Sequence, residues 1–128
     1  MKIIVNEPLP GNEECAHSLK NVLDALYVIN GKWKLAVILC LVQSSKRFNE
    51  LQHEITGISS KVLAKELKDL ELNDFITRTV YSTRPVSIVY EATEYSRTLK
   101  NVIAELSSWG EKHREKIKQS MRRQSEAK

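Results

Sequence analysis

The sequence has little of what interrupts or cross-links a chain. It holds four glycines and three prolines in 128 residues. Pro8, Pro10 and Gly11 cluster near the start, leaving Gly31, Gly57, Pro85 and Gly110 for the rest. Such scarcity favours a mostly helical chain with few turns. Two cysteines, Cys15 and Cys40, cannot make a disulfide framework. No apolar run approaches the roughly 20 residues of a membrane-spanning helix. The longest, residues 35–42, reads as a buried core helix. Residues 1–5 are too short an apolar run for a secretory signal, so the expected compartment is the cytoplasm. The histidines His17, His53 and His113 are scattered over different predicted helices, and no glycine-rich phosphate loop exists. Catalysis needs converging groups, so no enzyme is expected. Cys15 and His17 find no second Cys/His pair to complete a metal site, so neither metal nor cofactor is expected.

What is present is a modest excess of positive charge. The net charge is +4 and the isoelectric point about 9.1, a crude footprint of nucleic-acid binding. Residues 111–128 hold seven basic and three acidic side chains, which is the whole of that excess. The first 110 residues balance. Function has to be read from local pattern.

Residues 1–14 carry no helical period and read as an N-terminal arm. Leu19, Val22, Leu23, Leu26 and Ile29 then take amphipathic helical spacing, ended by Asn30-Gly31. Residues 32–42 are apolar nearly all round and predict a central helix, with Trp33 in the core and Cys40 as filler. Two short helical patterns come next: Phe48, Leu51 and Ile55, then Ile58, Val62, Leu63, Leu67 and Leu70. Thr56-Gly57-Ile58-Ser59 joins them as in a helix-turn-helix, with Ser59 placed to cap the second helix. The period changes to two over residues 75–81 and 86–90, a hairpin with residues 82–85 as its loop. Thr93 caps a long helix striped by Leu99, Val102, Ile103, Leu106 and Trp109. The stripe disappears beyond Lys118, and residues 119–128 read as a frayed basic tail. Residues 15–118 form one domain, mainly α with a small β-hairpin, in which the hairpin is the wing of a winged helix-turn-helix.

The outward face of the second short helix collects Ser60, Lys61, Ala64, Lys65 and Lys68 behind the Ser59 cap. Lysines suit phosphates or guanine edges, serine adapts to donors and acceptors, and alanine lets the backbone approach. The helix N-terminus adds a positive dipole. A solvated lysine face is the ordinary alternative. The hairpin favours DNA, because Arg84 sits in its loop beside Ser82 and Thr83 and suits a minor groove. Lys46 and Arg47 precede the first short helix, where a backbone contact fits. Cys15, beside basic His17 and Lys20, is a candidate redox sensor, with an idle thiol as the alternative.

Six stretches resemble one family. Asn30-Gly31-Lys32-Trp33-Lys34-Leu35, Arg47-Phe48-Asn49-Glu50-Leu51 and Gly57-Ile58-Ser59-Ser60-Lys61-Val62-Leu63 are similar to the GGKW-x-L, RFNEL and GIS-x-K-x-L motifs of the HxlR-type regulators. Leu67-Lys68-Asp69-Leu70-Glu71 with Arg78-Thr79-Val80-Tyr81, Pro85-Val86 with Val89-Tyr90-Glu91, and Trp109-Gly110 resemble three more. The resemblance implies a homodimeric winged-helix transcription regulator on a palindromic operator, with residues 59–70 as recognition helix. Several members of that family respond to oxidants or electrophiles through a cysteine in the N-terminal segment, which makes such a response a possibility for this chain. Here the family's Cys-Pro position holds Lys20-Asn21, and Cys15 lies five positions upstream. The family's usual residues are also replaced at Asn30, Ala92 and Ser96.

The reading is therefore a homodimeric, sequence-specific DNA-binding regulator, with double-stranded operator DNA and itself as partners, no membrane, and an effector not named by the sequence. Leu19, Val22 and Leu23 of the N-terminal helix and Leu99, Val102, Ile103, Leu106 and Trp109 of the last are the candidate dimer interface. The alternative is a winged-helix protein-interaction module without direct DNA contact.

Overall fold

A computed structural model describes residues 12–127. The chain divides into two compact units, residues 1–32 and 33–128. The first contains helix α1, Asn12–Val28. Glu13 and Glu14 in its first turn suit the positive end of the helix dipole. Leu19, Val22, Leu23 and Leu26 are 52–58% exposed, so the apolar stripe is largely uncovered. Of the arm expected at residues 1–14, residues 12–14 are helical, and the rest lies outside the described residues. After Pro10 and Gly11 nothing resists helix formation, which places Cys15 in the first turns of α1, exposed.

The second unit is built round helix α2, Lys34–Gln43, whose Val37, Ile38 and Leu41 are buried. It touches α3 (Phe48–Glu54), α4 (Ser60–Leu72), the second strand of the hairpin and the 3-10 turn that precedes the last helix. α3 and α4 are joined by a turn in which Ile55 and Ile58 are buried and Gly57 has φ +91°. That left-handed backbone is the reason for glycine. A Cβ there would only touch Trp33 Cη2 at 3.9 Å, an ordinary contact. Trp33 is half-buried rather than a core residue, because its ring lies against this turn at the start of α2. α4 buries Leu63, Leu67 and Leu70, each worth about 1.5–3 kcal/mol.

α4 ends in a tight reversal. Phe75 N–H donates to Leu70 O at 2.9 Å and Asp74 N–H to Glu71 O at 3.2 Å, with Asp74 at φ 64°. This is a Schellman closure with aspartate in the position glycine usually takes, and with Leu70 and Phe75 both buried. The chain then enters β1, Ile76–Tyr81, paired antiparallel with β2, Ser87–Ala92, in the register Ile76 to Ala92 and Tyr81 to Ser87. Lys46 adds a bridge outside β2: its N–H donates to Tyr90 O at 3.0 Å and its carbonyl accepts from Tyr90 N–H at 2.8 Å.

Thr93 caps a 3-10 turn, Tyr95–Leu99, rather than the long helix itself. Its hydroxyl accepts from Ser96 N–H at 3.2 Å and donates to Asp74 O at 2.6 Å. The turn leads directly into α5, Lys100–Glu126. Leu99 and Ile103 are half-buried, whereas Val102, Leu106 and Trp109 are exposed. Leu35, Ala36 and Leu39 of α2 form an apolar groove of about 210 Å³ with Ile103, Leu106 and Ser107. The residues read as a frayed tail from 119 are helical through Glu126. No glycine or proline comes after Gly110, and Lys, Arg, Gln, Glu and Met are all good helix formers. The apolar line also runs on, through His113 stacked on Trp109 at 5.0 Å, then Ile117 and Met121.

Candidate nucleic-acid interface

The outward face of α4 is built by exclusion. Leu63, Leu67 and Leu70 take the inner face, and Glu66 and Asp69 are held to one side by α2. Lys34 Nζ stands 2.7 Å from Glu66 Oε2 and 3.6 Å from Asp69 Oδ2, with the Lys34 and Glu66 side chains almost fully covered. Ser60, Lys61, Ala64, Lys65 and Lys68 remain outside, all exposed. Glu66 and Asp69 are thereby drawn toward α2, while Glu71, in the last turn, stays exposed near Lys68. At the N-terminus, Ser59 Oγ accepts from Val62 N–H at 3.2 Å, as its position predicts.

The wing stands beside this helix. A groove of about 290 Å³ between them is lined by Ala64, Leu67, Lys68 and Glu71 of α4 with Arg78 and Tyr90 of the hairpin. Arg78 pairs with Tyr90 across the strands, which sets both on the side facing α4. The wing loop exposes Ser82, Thr83 and Arg84. Thr83 Oγ1 donates to Pro85 O at 2.7 Å, so its proton is used within the loop. Arg47 is exposed at the start of α3, where its N–H donates to Glu50 Oε1 at 3.0 Å.

Lys46 is the exception among the candidate contacts. Its side chain is 11% exposed, and its ammonium lies 3.2 Å from Glu54 Oε1 and 2.9 Å from Ser44 Oγ. The backbone bridge to Tyr90 fixes its direction toward the end of α3, so it is a structural cation. Nearby, burial pushes the Cys40 thiol pKa up. A hydrogen bond to the Glu54 carboxylate and the charge of that carboxylate add to the rise, and Lys46 opposes it. Cys40 is thereby kept as a thiol, whereas Cys15 is open to solvent.

Two residues at this surface escape sequence reading. Arg78 has a signal: strand alternation places it on the side of buried Ile76, toward α4. Gln52 has none. It lies on α3 and donates from Nε2 to Ser60 Oγ at 2.8 Å. Among the described residues, no group of three His, Cys, Asp or Glu side chains is arranged to hold a metal ion. No described helix is long and apolar enough to cross a membrane.

Two helices joined by a glycine turn, a hairpin directly after the second, and a lysine face on that helix define a winged helix-turn-helix protein of the transcription-regulator class. The chain belongs to the HxlR-like helix-turn-helix family, whose model matches residues 28–118. It is 38% identical over 92 residues to the helix-turn-helix-type transcriptional regulator YdeP of Bacillus subtilis strain 168, covering 72% of each chain. The crystal structure of the regulator YtcD superposes with a TM-score of 0.68 at 37% identity, covering 72% of this chain and 94% of that one. YtcD is also a protein of Bacillus subtilis strain 168. The redox regulator HypR in its reduced form gives a TM-score of 0.69 at 34% identity, covering 73% of this chain and 93% of that one.

Proposed function

We propose that the chain acts as a homodimer that places two copies of α4 in successive major grooves of a palindromic operator, roughly one helical turn apart. The observation that carries this reading is the face of Lys61, Lys65 and Lys68 on a capped helix whose Glu66 and Asp69 are bound by Lys34. Arg84 at the wing tip reaches toward the minor groove, and Arg47 and Arg78 contact phosphates on either side of α4. As a transcription regulator it works by binding rather than catalysis, in the cytoplasm where the DNA is. Lys61→Ala or Lys65→Ala is expected to weaken binding and lower the slope of log affinity against log salt by about one for each phosphate no longer neutralised. Fluorescence anisotropy on a duplex enriched from a random pool, at several salt concentrations, measures both. Unchanged affinity and slope in both variants would put this face off the DNA and favour a protein-interaction module.

Oxidant response through Cys15 is a second reading, supported by its exposure and by HypR, a redox regulator known in reduced and oxidized forms. Half-buried Cys40, held as a thiol beside Glu54, is the slower of the two to react. Diamide is expected to shift operator affinity of the native protein and to leave Cys15→Ser unchanged. An equal response from both proteins ends the idea.

A further inference from the structure

The groove between α4 and the wing holds about 290 Å³ and draws its lining from both elements. That is close to the lower end of small-molecule sites. Part of its lining is apolar: Leu67 is buried, and Ala64 offers only a methyl group. The half-buried Tyr90 adds an aromatic ring from the hairpin. Its N–H and its carbonyl are both bonded to Lys46, so the backbone that carries this ring is fixed.

The charged lining is uneven. Lys68 comes to the groove from α4 and Arg78 from β1, and both are exposed. Among the described residues neither is in an ion pair, whereas Lys34 and Lys46 of the same unit are each bound to carboxylates. Glu71 is the one acid of the lining, which leaves two positive charges against one negative. An apolar base, a phenol ring and two unpaired cations complement a flat apolar body that carries one negative charge. We propose that this groove binds a small aromatic carboxylate. The ring of the ligand lies on Ala64 and Leu67 beside Tyr90. Its carboxylate takes the planar fork of the Arg78 guanidinium, with Lys68 as a second charge. Glu71 opposes the anion and limits its affinity.

The consequence for regulation rests on the DNA-binding reading above, although binding of the ligand does not. On that reading Lys68 and Arg78 hold phosphates. Ligand and DNA then compete for the same two cations, and each lowers the affinity for the other by the same factor. The groove is an effector site by overlap, and no change of conformation is needed.

The test titrates the full chain, without DNA, with naphthoate and follows the backbone amides by two-dimensional NMR. A dissociation constant of about 0.05–1 mM is expected for a ligand of this size. The largest shifts should fall around Ala64, Lys68, Arg78 and Tyr90. Naphthamide, which lacks the charge, and acetate, which lacks the ring, should each bind about tenfold more weakly or worse. Arg78→Gln should weaken naphthoate by about tenfold. Ala64→Leu, which keeps a good helix former but fills the groove, should weaken it at least as much. Glu71→Gln should tighten it by about twofold to fivefold, a gain that loss of folding cannot imitate. Shifts centred elsewhere, as in the apolar groove between α2 and α5, overturn the proposal. So does acetate or naphthamide binding as tightly as naphthoate, or a Glu71→Gln protein that binds no tighter. Naphthoate should also release a duplex enriched from a random pool, with half release near its own dissociation constant. A duplex that stays bound at saturating naphthoate overturns the effector role. If the native protein enriches no duplex, the DNA-binding reading falls, and the titration still decides whether the site exists.

Discussion

Asp74 holds a left-handed backbone that L side chains rarely adopt, at the residue that turns the recognition helix into the wing. Aspartate tolerates this conformation better than most residues, and glycine tolerates it best. Asp74→Gly is therefore expected to raise stability by about 0.5–1 kcal/mol, read as a rise of a few degrees in thermal midpoint. Asp74→Val should lower it by at least about as much, since a β-branched side chain there is strained. A Gly variant less stable than the native chain would show that the aspartate side chain holds something besides the turn. Lys34 acts at the same scale. Breaking a buried ion pair by removing one partner leaves an uncompensated charge. With Lys34 gone, Glu66 and Asp69 would put negative charge back on the helix that carries the lysines.

At the scale of elements, α1 and α5 share a property the other helices lack: each shows a line of large apolar side chains to solvent. On α5 the line is longer than the spacing up to Trp109 predicts, reaching Met121 on a helix of 27 residues, or about 40 Å. Exposed stripes of this length on a protein of this class fit pairing with a second copy. Trp109, at 65% exposure, is the residue whose removal should cost the pair most without harming the fold. Trp109→Lys is expected to weaken dimerisation by about 2 kcal/mol or more, roughly thirtyfold, measured by sedimentation equilibrium. A variant that stays as dimeric as the native protein would place the interface elsewhere. The hairpin shows the reverse. Its pairing is regular, but past Ile76 every residue of β1 is exposed, so its position depends on its base.

For the whole molecule, what was legible in the sequence was whatever is encoded locally. The apolar run of α2, the Gly57 turn, the Ser59 cap and the alternation of the hairpin each need only a few neighbouring residues, and each is where the sequence places it. Helix ends were less legible. The 3-10 turn before α5 depends on Thr93 reaching Asp74 and Ser96, and α1 begins earlier than the lack of a period over residues 1–14 implied. Least legible were contacts between elements. Lys34 meets Glu66 across 32 positions, Lys46 turns to Glu54 because its backbone is bridged to Tyr90, and Gln52 meets Ser60 across the turn. A charge count groups Lys46 with the DNA contacts and passes over Gln52, because the contacts of neither exist until the helices are packed. The lysine face was visible as a pattern, but the pairing of Glu66 and Asp69 with Lys34 was not.

The backbone bridge between Lys46 and Tyr90 fastens the root of the hairpin to the strand-like residue ahead of α3. The loop beyond Tyr81 is held by a bond of its own, from Thr83 to Pro85. Root and tip are therefore under separate constraints during descent. Changes near Tyr90 are filtered by whether the chain folds, whereas changes at Ser82, Thr83 and Arg84 leave the interior untouched. On the DNA-binding reading proposed above, lineages of such a protein can drift in which DNA they prefer by rewriting the loop, while the rest of the wing stays the same.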